Sequence, residues 1–214
     1  MHVIGLTGGI GTGKSTVAHV LEEEGAAILD ADRAGHQVYL PGRPAYDDII
    51  ATFGPEVLAP DGTIDRKKLG PIVFADPANL AKLNAITHPR MKELMREQLA
   101  ELATKDVEFA VLEAALLFDA GWDDLTDEVW VTVAPPQLAA ARASARSGIP
   151  MEQVLERIMK AQMDSEDRVR RSNVVIETTG TLADTERRAR EEWRRMRERL
   201  NAGRPRDTRA IGDV

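Results

Sequence analysis

Residues 8–15 read Gly8-Gly9-Ile10-Gly11-Thr12-Gly13-Lys14-Ser15 and fill every fixed position of G-x-x-x-x-G-K-[ST]. Such a run does one kind of chemistry well. Gly9, Gly11, Thr12 and Gly13 let the backbone wrap a phosphate with its N–H groups pointing inward. A helix opening near Lys14 adds its positive end to the same spot. Lys14 supplies a mobile charge for the β- and γ-phosphates, and the Ser15 hydroxyl can ligand Mg²⁺. Thr16 adds contacts nearer the α-phosphate. Because the octet follows a buried apolar run and opens a helical pattern, it predicts a mononucleotide site rather than a chance glycine turn.

A bound triphosphate can serve a kinase, a GTPase switch or a mechanical ATPase, and other residues discriminate among these. Asp32-Arg33-Ala34-Gly35 matches the D-x-x-G of a switch region. It follows the phosphate loop too closely for an intervening switch segment, and no N-K-x-D guanine-reading motif occurs. Asp30 and Asp32 close the second predicted strand, and open α/β sheets bind ligands beyond the carboxyl ends of their strands. Asp32 is therefore the candidate base for an attacking hydroxyl, with helix capping the alternative job for either aspartate. Glu113 ends the next buried strand and is the candidate acid for the Mg²⁺ shell, or else a helix cap. Arg142 and Arg146 stand four apart on one helix face, where they can neutralise charge on a transferring phosphate or simply decorate a surface. His2, His19, His36 and His88 show no zinc-ligand spacing.

The elements that must hold these residues follow from apolar runs and breaks. Val3–Leu6, the glycine loop, a helix from Ser15 ended by Gly25, and Ala26–Leu29 form a βαβ unit, which implies a parallel sheet. From Leu40 the texture changes. Pro41, Gly42 and Pro44 open a polar, mainly helical stretch to about Asp106 with no continuous buried strand. Within it Asp61-Gly62 reads as a turn, and Thr87-His88-Pro89 as a helix start with proline first. Phe109–Glu113 and Glu128–Ala134 are further strands, the second stopped by Pro135-Pro136. Two helices split at Gly148-Ile149-Pro150, an arginine-rich stretch to Arg171, a last strand Asn173–Glu177 and a last helix Leu182–Leu200 complete the order. The expected organisation is a core of residues 1–40 and 106–214 with an insertion at 41–105. The tail after Gly203 is expected to fray.

Composition bounds the rest. The chain has 214 residues, 43% hydrophobic and 29% charged, enough apolar matter for a real core. With no cysteine, disulfides, thiol catalysis and cysteine-held metals are excluded. The net charge of −7 argues against nucleic acid as the main partner. Ten arginines against five acids between residues 186 and 209 make the last helix locally basic, which reads as a solvated face laced with ion pairs. No apolar run is long enough for a membrane span, so no membrane partner is expected and the chain is read as cytoplasmic. No motif bears on oligomeric state.

Taken in order, the motifs resemble those of the dephospho-coenzyme A kinase family. The similarity runs from Gly5-Leu6-Thr7 through Ser15-Thr16, then Asp30-Ala31-Asp32 with His36. It continues with Phe53-Gly54, Asp61-Gly62, Asp65-Arg66, Leu69-Gly70, Val73-Phe74 and His88-Pro89. Leu116-Leu117-Phe118, Arg142, Arg146 and the Arg157…Ala161-Gln162 group extend it to about residue 200. Four features depart from the family pattern: Ala115 for proline, Asp119 for glutamate, Glu113 for aspartate, and Ser172-Asn173 with Thr178 for alanine-aspartate and asparagine. The Thr178 change bears on the adenine side of ATP. The resemblance implies a P-loop NTPase-type parallel sheet, an inserted helical subdomain that binds the acceptor, and a helical lid over about residues 136–171. It implies transfer of the γ-phosphoryl of ATP, with Mg²⁺, to the ribose 3′-hydroxyl of dephospho-coenzyme A. Asp32 would then be the base beside that hydroxyl, and Arg66 and His88 acceptor-side residues. Another small P-loop kinase, or a nucleotide-dependent binder without phosphoryl transfer, would share the phosphate loop alone.

Overall fold

In the computed structural model, which describes residues 1–161 and 165–203, the chain alternates strand and helix around a five-stranded sheet of order β2-β3-β1-β4-β5. The first unit comprises Met1–Leu29 and the chain from Leu102 onward. It opens with β1 (His2–Gly8), α1 (Lys14–Glu23) and β2 (Ala27–Asp30), the expected βαβ unit. Strand β1 pairs in parallel with β3 (Phe109–Glu113) and β4 (Glu128–Val133), and β4 in parallel with β5 (Val174–Glu177). Flanked on both sides, β1 is buried from Val3 to Gly8, which is why it reads as a continuous apolar run rather than an alternating one. The register sets Leu6 opposite Glu113 and Gly8 opposite Thr132, so both polar side chains stand at the carboxyl edge where β1 becomes the glycine loop.

After β4 come α6 (Pro136–Ser147), α7 (Met151–Ala161) and α8 (Ser165–Arg171), and after β5 comes α9 (Leu182–Asn201). Helices α6 and α7 meet through Ala140, Ala143 and Val154, with Ile10 of the glycine loop and Ile158 packed on them. The main core joins Ile4, Leu6 and Trp130 of the sheet to Val17 and Leu21 of α1 and to Ala189, Trp193 and Met196 of α9. Phe109 meets Trp193 edge to face at 4.8 Å between ring centres, a favoured aromatic geometry. Gln162, the side chain of Arg157 and the chain after Gly203, which carry part of the expected lid and the expected frayed tail, lie outside the described residues.

The second unit runs from Asp30 to Glu101, beginning before the Pro41 break that marks the texture change in the sequence. It holds α2 (Ala31–Ala34), α3 (Pro44–Phe53), α4 (Arg66–Ala75) and most of α5 (Pro77–Ala103). Its own core gathers Ile49, Phe53, Val57, Ile64, Leu69 and Val73, and Tyr39 packs against it from the segment before Pro41. Its β structure, among the described residues, is a single antiparallel bridge between Leu58 and Ile64.

One expectation is overturned. No helix starts at Thr87-His88-Pro89, because α5 passes through Pro89 without interruption. An internal proline removes the bond to the carbonyl four residues back. Neighbouring side chains supply donors on either side: Thr87 Oγ1 donates to Leu83 O at 2.9 Å and Arg90 Nη1 to Ile86 O at 2.7 Å. Thr87, Met95 and Leu99 form the buried stripe of α5, and that packing outweighs the local proline penalty.

Candidate functional site

The glycine loop adopts the backbone its motif requires. Gly11 and Gly13 have φ of 75° and 85°, a left-handed conformation that side chains rarely take. A Cβ on Gly11 would collide with the Ala139 carbonyl, and one on Gly8 with the Thr132 hydroxyl. Gly13 caps α1 at its N-terminus without any side-chain cap, and the Thr16 and Val17 amides bond to Gly13 O at 3.0 and 3.2 Å. A helix N-terminus with no side-chain cap, opening from a glycine loop, is suited to an anion.

Around the loop, hydroxyls add hydrogen bonds to the apolar contact of Ile10. Thr12 Oγ1 donates to Gly9 O at 2.8 Å and shares a 2.7 Å hydrogen bond with Thr132 Oγ1. Thr178 Oγ1 donates to Thr12 O at 2.8 Å. Lys14 Nζ donates to Glu113 Oε1 at 3.0 Å, both side chains being largely shielded from solvent. Ser15 is exposed at the start of α1. The site thus offers a glycine loop at an uncapped helix N-terminus, the Lys14 cation beside the Glu113 carboxylate, and the exposed Ser15 hydroxyl.

On α6, Arg142 and Arg146 share a face but differ in surroundings. Arg142 is half-buried; its Nη1 donates to Thr178 Oγ1 at 3.1 Å and its Nη2 to Gly180 O at 3.3 Å. Arg146 is exposed one turn further on. The structure therefore brings Thr12, Lys14, Glu113 and Arg142 to one edge of the sheet.

Asp30, Asp32, Arg66 and His88 belong to the second unit. Asp30 takes the capping role, accepting from Arg33 N at 2.9 Å, which leaves Asp32 exposed in the first turn of α2. The Arg66 guanidinium donates to His36 Nε2. Burial, and then the Arg66 charge, hold the His36 imidazole below its usual value, so the ring stays neutral and can accept that bond. His88 is half-buried within α5. Among these positions Thr132 was missed by sequence reasoning. Its signal was present: a hydroxyl inside the apolar run Val129-Trp130-Val131-Thr132-Val133.

Comparison with known proteins decides the family. The dephospho-CoA kinase profile matches residues 2–184. The chain belongs to the dephospho-CoA kinase family. A dephospho-CoA kinase of Geobacter sulfurreducens is 45% identical over 193 residues, covering 90% of this chain and 98% of its own. Among solved structures, a Thermus thermophilus protein superposes with a TM-score of 0.74 at 34% identity, covering 91% of this chain and 97% of its own. A dephospho-CoA kinase from Campylobacter jejuni gives 0.69 at 26% identity, covering 92% and 97%. The parallel sheet, the phosphate loop and the helical additions are those of this family of kinases.

Proposed function

We propose that this chain transfers the γ-phosphoryl group of ATP to the ribose 3′-hydroxyl of dephospho-coenzyme A, giving coenzyme A and ADP in the last step of coenzyme A synthesis. The observation that carries the proposal is the glycine loop with Lys14 set against Glu113 at the carboxyl edge of the sheet, in a chain of this family. The amides of Gly9, Gly11, Thr12 and Gly13 cradle the β- and γ-phosphates, and Thr16 reaches towards the α-phosphate. Lys14 exchanges its carboxylate partner for phosphate oxygens, a substitution of one anion for another that leaves its charge compensated throughout.

A hydroxyl and a carboxylate are hard oxygen donors and fit Mg²⁺, which is held by one or two protein oxygens together with substrate phosphates. Ser15 and Glu113 would hold it, and when bound it neutralises charge on the β- and γ-phosphate oxygens. Asp32 takes the proton of the 3′-hydroxyl as that oxygen bonds to the γ-phosphorus and the bond to the β–γ bridging oxygen breaks. Arg142 and Arg146 stabilise the charge spread over the transferring group.

The helical unit carrying Arg66 and His88 binds the acceptor, and the helices over about residues 136–171 close as a lid, with Pro135-Pro136 and Gly148–Pro150 as hinges. A lid is useful because water competes with the 3′-hydroxyl for the γ-phosphoryl group. The reaction is cytoplasmic. The test is ADP release from Mg²⁺–ATP with and without dephospho-coenzyme A, beside a panel of nucleosides. Stimulation by dephospho-coenzyme A is expected. Stimulation by a nucleoside alone would transfer the chain to another small-kinase activity, and no stimulation by any acceptor would leave only nucleotide binding.

A further inference from the structure

The loop after β5 holds a buried hydroxyl that serves two parts of the nucleotide site at once. Thr178 is 1% exposed, and its amide donates to Val133 O at 2.9 Å, continuing the β4–β5 pairing one step past the strand. Its Oγ1 lies 2.8 Å from Thr12 O and 3.2 Å from Val133 O, and receives Arg142 Nη1 at 3.1 Å. A threonine hydroxyl has one proton to give. The shorter contact assigns that proton to Thr12 O, and the oxygen's lone pair is then turned to the arginine. Thr178 Cγ2 stands 3.4 Å from the place a Cβ would take on Gly13, so its methyl also fits closely under the loop.

Arg142 is fixed entirely by neutral acceptors, Thr178 Oγ1 and Gly180 O, and among the described residues no carboxylate lies within ion-pair distance of it. Among the described residues its position is therefore defined by directional bonds to neutral groups, and none of them cancels its charge. Both qualities suit a cation that must meet a phosphate.

We propose that Thr178 is a positioning residue: its single hydroxyl holds the carbonyl of the phosphate loop and the guanidinium of Arg142 in one register. Displacing the guanidinium shifts the oxygen that supports Thr12, and displacing Thr12 shifts the acceptor that supports Arg142. The donor phosphates and the arginine that neutralises them are in this way aligned by one hydroxyl that bonds both the loop carbonyl and the arginine. The proposal rests on phosphoryl transfer being the reaction. Turnover of Mg²⁺–ATP with dephospho-coenzyme A by the unaltered chain is therefore measured first; its absence would sink that reading and this one with it, whereas a normal rate leaves the Thr178 variants to decide this one alone.

Thr178→Val keeps the branched shape and removes the hydroxyl, and Thr178→Ser keeps the hydroxyl and removes the methyl. Thr178→Val is expected to lower kcat by about 10-fold or more, within the range that small misalignments of reacting groups produce. KM for dephospho-coenzyme A should stay unchanged, and Thr178→Ser should recover most of the lost rate. In the Arg142→Ala background, Thr178→Val should add little, because the two residues act as one unit. Thermal midpoints of all variants separate misfolding from misalignment. Equal losses in Thr178→Val and Thr178→Ser would make the methyl packing the cause and overturn the proposal. Turnover by Thr178→Val within two-fold of normal, or additive losses with Arg142→Ala, would overturn it equally.

Discussion

At the scale of single residues, the site is a set of charges whose partners must change during turnover. Lys14 rests on Glu113, and its removal takes away the mobile cation of the loop and strands a shielded carboxylate beside the incoming phosphates. Lys14→Ala is expected to cut turnover by at least about 100-fold, as loss of a preorganised charge at a reacting phosphate does. Near-normal turnover would remove Lys14 from the mechanism. Asp32 is exposed in the first turn of α2 and leaves the capping bond to Asp30. Asp32→Asn should therefore leave the thermal midpoint nearly unchanged while kcat falls by about 100-fold or more, the scale of a lost general base. A weaker affinity for ATP with kcat intact would make Asp32 a donor-side residue instead.

At the scale of elements, Pro89 provides a direct test of how α5 is held. If tertiary packing carries the helix through the proline, Pro89→Ala restores an internal donor and removes a steric clash, offset in part by greater freedom of the unfolded chain. A net gain of about 1–2 kcal/mol is expected, read as a higher denaturant midpoint at unchanged slope. A loss would show that α5 packs through a bend the proline creates. This helix also marks where the sequence was misleading. Local rules put a start at Thr87 because proline favours first turns, whereas burial of Thr87, Met95 and Leu99 decided the outcome. The strands were legible for the opposite reason: β1, β3 and β4 are covered on both faces, so they read as mainly apolar runs, with Thr7, Glu113, Glu128 and Thr132 as the buried polar exceptions. The phosphate loop was legible because its geometry demands glycine at Gly11 and Gly13. The Lys14–Glu113 contact and the Thr12–Thr132–Thr178 hydroxyls were not legible as a site. They join residues far apart in sequence through strand register, and hydroxyls carry no spacing rule of their own. The basic last helix did follow the charge pattern. Arg187 pairs with Asp184 and Glu191, Arg188 with Glu177, and Arg190 with Glu23 and Glu24.

At the scale of the whole molecule, one acid fastens the last helix to the sheet. Glu128 is buried; it accepts from Trp130 Nε1 and from Arg199 Nη2, each at 2.8 Å, with His2 Nε2 at 4.0 Å. Burial pushes its carboxyl up, but the His2 imidazole, the Trp130 N–H and the Arg199 charge outweigh it and leave the value below the ordinary 4.5. The folded state therefore binds this proton less readily than the unfolded state. Its contribution to stability is complete above pH 4.5 and is lost as pH falls through the lowered value. Arg199→Ala strands the carboxylate and should cost about 3 kcal/mol at neutral pH, with the deficit shrinking in acid as Glu128 takes up its proton. A deficit independent of pH would assign the loss to packing of the arginine stem. The same helix separates two kinds of boundary. The family profile ends at residue 184, the third residue of the helix that begins at Leu182, yet Ala189, Trp193 and Met196 of the central core come later. The end of the family profile is not a place where the chain can be cut. Trimming it after residue 184 would strip an aromatic and a thioether from the interior, where each large-to-small deletion costs about 3 kcal/mol or more. Such a trimmed chain is expected to be recovered unfolded, with the phosphate loop complete in sequence and absent as a shape.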